Sequence, residues 1–141
     1  MVKRSKLHIG DTGVACSLLG IDAAGLDEDR VALGPMLESF VLQELRRQAS
    51  WRPVPVDFFH FRDRDDFEVD IVLEQGHAAV AGVEVKATAT VKDGDLRGLR
   101  KLRDAAGQRF AAGVVLYDGS ATIGFGDRLH AVPLRALWET T

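Results

Sequence analysis

Two carboxylates and one amine have the residue types and the spacing to bind a divalent metal ion and to act on a phosphodiester. They are Asp70, Glu84 and Lys86, in the pattern Asp-(x13)-Glu-x-Lys. Carboxylate oxygens are ligands that Mg²⁺ prefers, and a bound divalent ion lowers the pKa of a water molecule and stabilises charge on a phosphate. A neighbouring lysine can orient that water or hold the phosphate. The pattern therefore indicates metal-dependent hydrolysis of a phosphodiester bond.

Two neighbouring strands are needed to position these side chains. Residues 67–74 alternate between apolar and polar side chains, and a third predicted strand follows at 79–88 after a turn. The alternation places Phe67, Val69, Ile71 and Leu73 on one face of the strand and Glu68, Asp70, Val72 and Glu74 on the other. If the two strands form a hairpin, Asp70 lies directly opposite Glu84. Glu84 and Lys86 share a face of their strand in any register.

A solvated ion-pair network is the other interpretation of these charges, and residue types alone give the two interpretations about equal weight. That network would contain Glu68, Asp70, Glu84 and Lys86. A carboxylate on a neighbouring helix favours the metal site. Residues 34–48 have the apolar face of a helix, with Pro35 near its start. Both Glu38 and Glu44 on this helix are candidates for the additional carboxylate, and the pattern leaves the choice open.

The remaining elements predict a sheet flanked by helices on both faces. In chain order we expect a strand at 6–9, a helix capped by Asp11 and stopped by Gly20, a polar loop at 27–30, the helix at 34–48, strands at 56–61, 67–74 and 79–88, a helix at 96–106, a strand at 110–117, a hairpin-like segment at 122–132 and a short helix at 133–138. This order predicts one α/β domain over residues 1–141, with a central mixed sheet of four to five strands.

Composition narrows the class of protein. A chain of 141 residues has the usual size of one domain, and 46% hydrophobic with 28% charged residues is typical of a globular protein. No segment resembles a membrane span, and the single cysteine agrees with a reducing compartment, so the expected location is cytoplasmic. The formal net charge of −3 means that any nucleic-acid affinity has to come from a local basic face or from bound cations.

Five segments of the chain carry a resemblance to a known family. They are residues 6–13 (KLHIGDTG), 34–45 (GPMLESFVLQEL), 59–63 (FHFRD), 68–72 (EVDIV) and 83–88 (VEVKAT). Together they resemble the PD-(D/E)xK nuclease superfamily. More narrowly, they resemble the uncharacterised domain found C-terminal to the ATPase module in many prokaryotic AAA-type ATPases. The resemblance covers nearly the whole chain.

The resemblance implies a three-layer, restriction-endonuclease-like fold and a nuclease acting on DNA more than on RNA. It implies that Mg²⁺ or Mn²⁺ is bound by Asp70 and Glu84 with assistance from Glu38, and that Lys86 is the catalytic lysine. The Pro-Asp dipeptide of the superfamily is Val69-Asp70 here, which leaves a second expectation open: a catalytically inactive interaction or regulatory domain of an AAA-type ATPase system. No Gly-x4-Gly-Lys-Ser/Thr sequence occurs, so we expect the ATPase module itself to be absent from this chain.

Basic and aromatic side chains suggest where partners could bind. Candidates for phosphate contacts are Arg62, Arg64, Arg97, Arg100 and Lys101. A solvated helix face is favoured over phosphate binding for the last three by roughly two to one, because acidic residues interleave with them. Trp51 or Trp138 could mark a homodimer or partner surface, although core packing is the more ordinary role of such residues.

An aspartic protease is a rival hypothesis of low weight, because Asp11-Thr12-Gly13 matches the Asp-Thr-Gly motif of those enzymes. They are almost wholly β, whereas this chain has at least two predicted helices. Asp11 is better explained as a helix cap.

Overall fold

A mixed sheet of six strands forms the centre of the molecule in the computed structural model, which describes residues 6–139. The strands are β1 (Asp57–Arg62), β2 (Glu68–Gln75), β3 (Ala79–Lys86), β4 (Phe110–Tyr117), β5 (Ile123–Gly124) and β6 (Leu129–Pro133), in the spatial order β1-β2-β3-β4-β6-β5. The first three are antiparallel neighbours, and β4 and β6 continue the sheet in parallel with β3. The predicted count of four to five strands is therefore too low, because the tail adds β5 and β6 to the sheet.

Helices cover both faces of this sheet. They are α1 (Thr12–Leu19), α2 (Ala23–Glu28), α3 (Arg30–Ser50) and α4 (Arg97–Ala106). The core under α3 contains Val41, Leu42, Ile71, Val83 and Leu116. The core under α4 contains Val69, Val72, Val80, Leu96, Leu99, Leu102, Phe110, Val115, Tyr117, Leu129 and Ala131. The predicted α/β class and the helices on both faces are confirmed.

Helix caps explain where the first helices begin. Asp11 Oδ1 accepts a hydrogen bond from the Val14 N–H at 3.0 Å, so the predicted cap of α1 is confirmed. Asp29 caps α3 in the same way through two N–H groups, so α3 begins at Arg30 and not near Pro35. The predicted polar loop at 27–30 was wrong, because α2 extends to Glu28 and α3 starts two residues later.

The ends of the described chain also differ from expectation. Residues 6–9 form no strand, and the predicted final helix is a 3₁₀ turn at Leu134–Leu137. Both tryptophans lie outside the core: Trp51 is 75% exposed, and Trp138 is 48% exposed and packs against Phe40 with ring centroids 5.6 Å apart. No helix within residues 6–139 has the length and apolar character needed to cross a membrane.

A β-bulge in β2 changes which residues face each helix layer. Phe59 pairs with Val72 and Phe61 pairs with Val69. A step of two residues along β1 therefore corresponds to a step of three residues along β2, which is a bulge in β2. Val69 consequently packs in the α4 core together with Val72, whereas Ile71 packs in the α3 core. The expectation that Val69 shares a face with Ile71 was wrong for this reason. The bulge places Asp70 at an irregular point of the strand, next to the end of β3.

Candidate functional site

Asp70 lies where β2 and β3 begin to separate. The two strands pair from Gln75↔Ala79 to Ile71↔Val83, which is the register predicted from the sequence and which places Asp70 next to Glu84. Beyond Ile71 the regular pairing ends, and Asp70 Oδ2 accepts a hydrogen bond from the Val85 N–H at 2.9 Å. One oxygen of Asp70 is thus used to hold the separating strand, and the other, Oδ1, lies 3.2 Å from Lys6 Nζ.

Glu84 and Lys86 lie on the α4 face of β3, as the alternation predicts. Val83 and Val85 pack on the opposite face, against the α3 core. Glu84 is only 8% exposed, and Gly98 of α4 covers it so closely that a Cβ at position 98 would lie 3.1 Å from Glu84 Oε1. The glycine therefore lets helix α4 approach the carboxylate directly.

The carboxyl group of Glu84 is buried against another acid. Burial, the negative charge of Asp70 and a hydrogen bond with Asp70 raise the pKa of Glu84 to about 9. Lys86 lowers this pKa only in part, because its Nζ is directed to Asp95 Oδ1 at 3.7 Å. In the described part of the chain Glu84 has no ion-pair partner. The site therefore holds a buried acid whose ionised form nothing in residues 6–139 compensates fully.

We expect the buried acid to make stability fall with rising pH in the absence of divalent ions. Between pH 4.5 and about 9 the folded state keeps the Glu84 proton that the unfolded chain has lost, so raising the pH favours unfolding. Glu84→Gln cannot titrate and should flatten this slope. Relative to wild type, the variant should gain at least about 1.4 kcal/mol between pH 5 and pH 9, the equivalent of one pKa unit.

Urea denaturation in EDTA at pH 5, 7 and 9 measures this difference. Glu139→Gln, which alters an exposed carboxylate near the end of the described chain, is the matched control and should keep the wild-type slope. Parallel slopes for wild type and Glu84→Gln would show that Glu84 is ionised in the folded protein, against the expectation.

Glu38 and a lysine that the sequence analysis did not single out complete the acidic cluster. Lys6 Nζ lies 2.6 Å from Glu38 Oε1, 3.2 Å from Asp70 Oδ1 and 3.3 Å from Glu68 Oε1. Glu38 Oε1 is buried and has no well-directed hydrogen bond in residues 6–139, although Lys6 is close. Burial raises the pKa of Glu38, and Lys6 offsets that rise only in part. The only sequence signal for Lys6 is its place at the start of the opening motif.

Glu44 does not reach this cluster. Its carboxylate accepts a hydrogen bond from Gln48 Nε2 at 2.8 Å and pairs with Arg47, one turn along the same helix. The hydrogen bond from Gln48, and then the pairing with Arg47, lower the pKa of Glu44. Of the two helix carboxylates, only Glu38 is therefore connected to Asp70, through Lys6.

The basic side chains that the sequence suggested for phosphate contacts differ in whether they already form ion pairs. Arg62 is paired with Asp66 at 2.7 Å, and Arg100 donates to Asp93 at 2.9 Å. Lys101 Nζ lies 4.9 Å above the ring of Phe67 and is otherwise exposed. Arg64 and Arg97 are also exposed. The three side chains that form no ion pair within residues 6–139, rather than the two that do, are available to a ligand.

The donor set suits a hard divalent cation in part. Carboxylate oxygens, a buried Glu84 beside Asp70 and the poorly bonded Oε1 of Glu38 match the preference of Mg²⁺ and Mn²⁺ for oxygen and negative charge. Within residues 6–139, however, no three His, Cys, Asp or Glu side chains converge closely enough to enclose an ion. Since Mg²⁺ commonly takes one or two protein carboxylates and keeps several waters, the Asp70–Glu84 pair fits such an ion without a third ligand.

Two mycobacterial proteins are similar to this chain over nearly its whole length. The chain is 30% identical over 136 residues to uncharacterized protein Rv2008c of Mycobacterium tuberculosis and to uncharacterized protein Mb2031c of Mycobacterium bovis. Each match covers 96% of this chain and 29% of the relative, so the chain spans less than a third of the length of these relatives.

A solved structure and a family model were also matched. The structure is a refined half-complex from a tetradecameric assembly of Thermococcus gammatolerans McrB AAA+ hexamers with bound McrC, with a TM-score of 0.48, 14% identity, and coverage of 71% of this chain and 27% of that chain. The family model is described as a domain of unknown function (DUF4143) and matches residues 33–137, a span that includes Glu38, Asp70, Glu84 and Lys86. Because the match extends over most of its length, the chain belongs to the DUF4143 family.

Proposed function

We propose that this domain is a nuclease that hydrolyses phosphodiester bonds of nucleic acid, DNA more than RNA, with Mg²⁺ or Mn²⁺. The observation that carries the proposal is the buried, uncompensated carboxyl group of Glu84 beside Asp70, at the point where two strands separate. Such a pair is costly to keep in a fold unless a cation neutralises it. The order of helix α3, three antiparallel strands, helix α4 and parallel strand β4 supports a restriction-endonuclease-like fold as part of this proposal.

Asp70 and Glu84 would hold the metal ion, and Glu38 would assist from α3. When bound, the ion would supply a water molecule of lowered pKa and stabilise negative charge on the scissile phosphate. The Val85 N–H orients Asp70 by holding its Oδ2, so that Oδ1, which lies 3.2 Å from Lys6 Nζ, is the oxygen that would contact an ion. Gly98 keeps α4 against Glu84 and so excludes water from one side of the pair.

Lys86 is the residue proposed to act on the substrate. It projects from the same face of β3 as Glu84, its side chain is partly exposed, and its only ion pair in the described chain is the long contact with Asp95. An ammonium group there can hold a phosphate oxygen or orient the attacking water. The exposed cations Arg64, Arg97 and Lys101 would contact the phosphates on either side.

A non-catalytic interaction domain is the second candidate, with an AAA-type ATPase as the partner. The position of Lys6 favours it, because an ammonium group already sits among Glu38, Glu68 and Asp70 and the cluster can then be a structural ion-pair network. The exposed Trp51 and the Phe40–Trp138 pair would offer an apolar contact surface. Divalent-ion binding separates the candidates, since only the nuclease requires it.

Cleavage of nucleic acid tests the proposal directly. We expect the 141-residue chain to nick supercoiled plasmid, or to cut single-stranded DNA or RNA, with Mn²⁺ or Mg²⁺ and not with EDTA. Lys86→Ala should slow cleavage by about 100-fold or more, the usual contribution of a group that acts in proton transfer or positions a nucleophile. It should not weaken Mn²⁺ binding, because the lysine holds no metal.

Lys92→Ala is the matched control, because Lys92 is an exposed lysine whose backbone N–H, and not its side chain, bonds Asp95. This control should cleave like wild type. Cleavage that is equal in wild type, Lys86→Ala and the EDTA sample would reject the nuclease and leave the interaction domain as the better account.

A further inference from the structure

Lys6 places a positive charge at the centre of the carboxylate cluster. Its ammonium group lies between 2.6 and 3.3 Å from one oxygen each of Glu38, Asp70 and Glu68. The first of these comes from α3 and the other two from β2, so a single cation connects the helix layer to the sheet. Burial lowers the pKa of Lys6, but its pairing with Glu38 and Asp70 outweighs burial and raises the pKa above its ordinary value. The group is therefore charged at any physiological pH.

We propose that Lys6 is a tethered cation that occupies the position of the metal ion, and that a divalent ion binds only when Lys6 leaves. This inference rests on the proposed function, since it concerns the same carboxylates. Asp70 Oδ1 is the oxygen left free by the Val85 N–H, and it is the oxygen that Lys6 contacts. An ion at Asp70 would lie within a few ångströms of the ammonium group, where two positive charges repel strongly in a partly buried site.

Besides the ion pairs of Lys6 itself, three polar contacts in the described part of the chain attach the segment that carries this lysine, and one of them joins His8 Nε2 to Glu38 Oε1 at 3.6 Å. His8 Nδ1 and Ser39 Oγ are 3.0 Å apart, and Gln43 Nε2 donates to the Ile9 carbonyl at 3.3 Å. Leu7 is 97% exposed and Ile9 is partly exposed, so the segment buries little apolar surface. Segments held by few apolar contacts open at a low free-energy cost. Residues 6–10, here called the N-terminal strap, can therefore detach without unfolding the sheet.

If Lys6 and a divalent ion compete for the same carboxylates, removing the charge of Lys6 should tighten metal binding. Lys6→Met keeps most of the length of the side chain without the charge, and Lys6→Arg keeps the charge. By titration calorimetry with MnCl₂, Lys6→Met should bind Mn²⁺ at least about fivefold more tightly than wild type, the lower end of usual coupling between linked sites. Lys6→Arg should bind like wild type or more weakly. Lys92→Met is the control for loss of an exposed lysine and should match wild type.

A second measurement uses wild type alone and does not depend on how well the variants fold. Hydrogen–deuterium exchange of the backbone amides of residues 7–10 should become faster when Mn²⁺ is added, because the ion displaces the strap. Exchange in β3 should become slower or stay unchanged, since an ion held by Asp70 and Glu84 connects β3 to β2.

The outcomes separate this inference from the proposed function. Mn²⁺ binding that requires Asp70 but is equal in wild type and Lys6→Met, with unchanged exchange of the strap, would overturn the inference and leave the nuclease proposal in place. Tighter binding by Lys6→Met and faster exchange of the strap support the inference even if no cleavage is found. If neither wild type nor Lys6→Met binds Mn²⁺, both proposals fail and Lys6 is a structural ion-pair partner.

Discussion

Asp70→Asn is expected to weaken Mn²⁺ binding by at least about 100-fold, since loss of a supporting residue alone costs about 10–100-fold in metal affinity. Metal-dependent cleavage should fall by about 1,000-fold, because the ion supplies several kcal/mol of transition-state stabilisation and each ~1.36 kcal/mol is tenfold in rate. The replacement is isosteric, and the Asn carbonyl oxygen can still accept the Val85 N–H. The change therefore removes the negative charge and little else.

The metal-free fold should survive this substitution. Asp70 raises the pKa of Glu84 by its charge, so an uncharged residue at position 70 makes ionised Glu84 less costly, and at pH 9 the free energy of unfolding in EDTA should be equal or higher. The loss of the contact with Lys6 works in the opposite direction but involves a partly exposed pair. Loss of binding without loss of stability would distinguish a missing ligand from an unfolded protein.

Asp57→Asn provides the control, because Asp57 is an exposed carboxylate at the far end of β1, paired in register with Glu74. It should bind Mn²⁺ and cleave like wild type. If Asp70→Asn itself retained wild-type binding and cleavage, the ion would have to be held elsewhere, and the assignment of Asp70 and Glu84 would be wrong.

Local patterns in the sequence were sufficient to predict the hairpin that carries Asp70 and Glu84. Alternation with period two placed Glu84 and Lys86 on one face, and a short turn after β2 set a register in which Asp70 lies next to Glu84. Both features depend on residues close to one another along the chain. The caps at Asp11 and Asp29 are equally local, although only the first was read as a cap from the sequence.

Features that depend on packing between distant segments could not be predicted. The bulge in β2 results from pairing with β1, so the strict alternation expected at Val69 gives no sign of it. The choice between Glu38 and Glu44 depends on which turn of α3 lies over the strand ends, and both positions border the apolar stripe. Lys6 reaches Asp70 across 64 positions, a contact for which periodicity offers no signal.

Gly98 is a further position that the sequence did not single out, and its replacement should have the largest effect on stability. A Cβ at this position would overlap the Glu68 carbonyl oxygen and would lie 3.0 Å from the carbonyl carbon. The obstacle is strand backbone at the start of β2, next to the bulge, which cannot rotate away as a side chain can. We expect Gly98→Ala to lower the free energy of unfolding by about 3 kcal/mol, the upper part of the usual range for overpacking.

Gly34→Ala separates this steric cost from helix propensity. Gly34 lies within α3, and apart from its chain neighbours no heavy atom lies within 4 Å of the Cβ that alanine would add. The gain in helix propensity is opposed by Pro35, which disfavours a Cβ on the helical residue before it, so this variant should differ from wild type by less than about 1 kcal/mol. Urea denaturation in EDTA measures both variants against wild type.

The two substitutions should also differ at the site. A shift of α4 or of the Glu68 backbone to accommodate a methyl group at position 98 would disturb the relative positions of Glu84 and Asp70, which one ion has to contact together. Gly98→Ala should therefore bind Mn²⁺ more weakly even at temperatures where it is fully folded, whereas Gly34→Ala should bind like wild type. If both glycine variants proved equally stable and bound Mn²⁺ equally, the close contact between α4 and β2 would not be what keeps Glu84 buried.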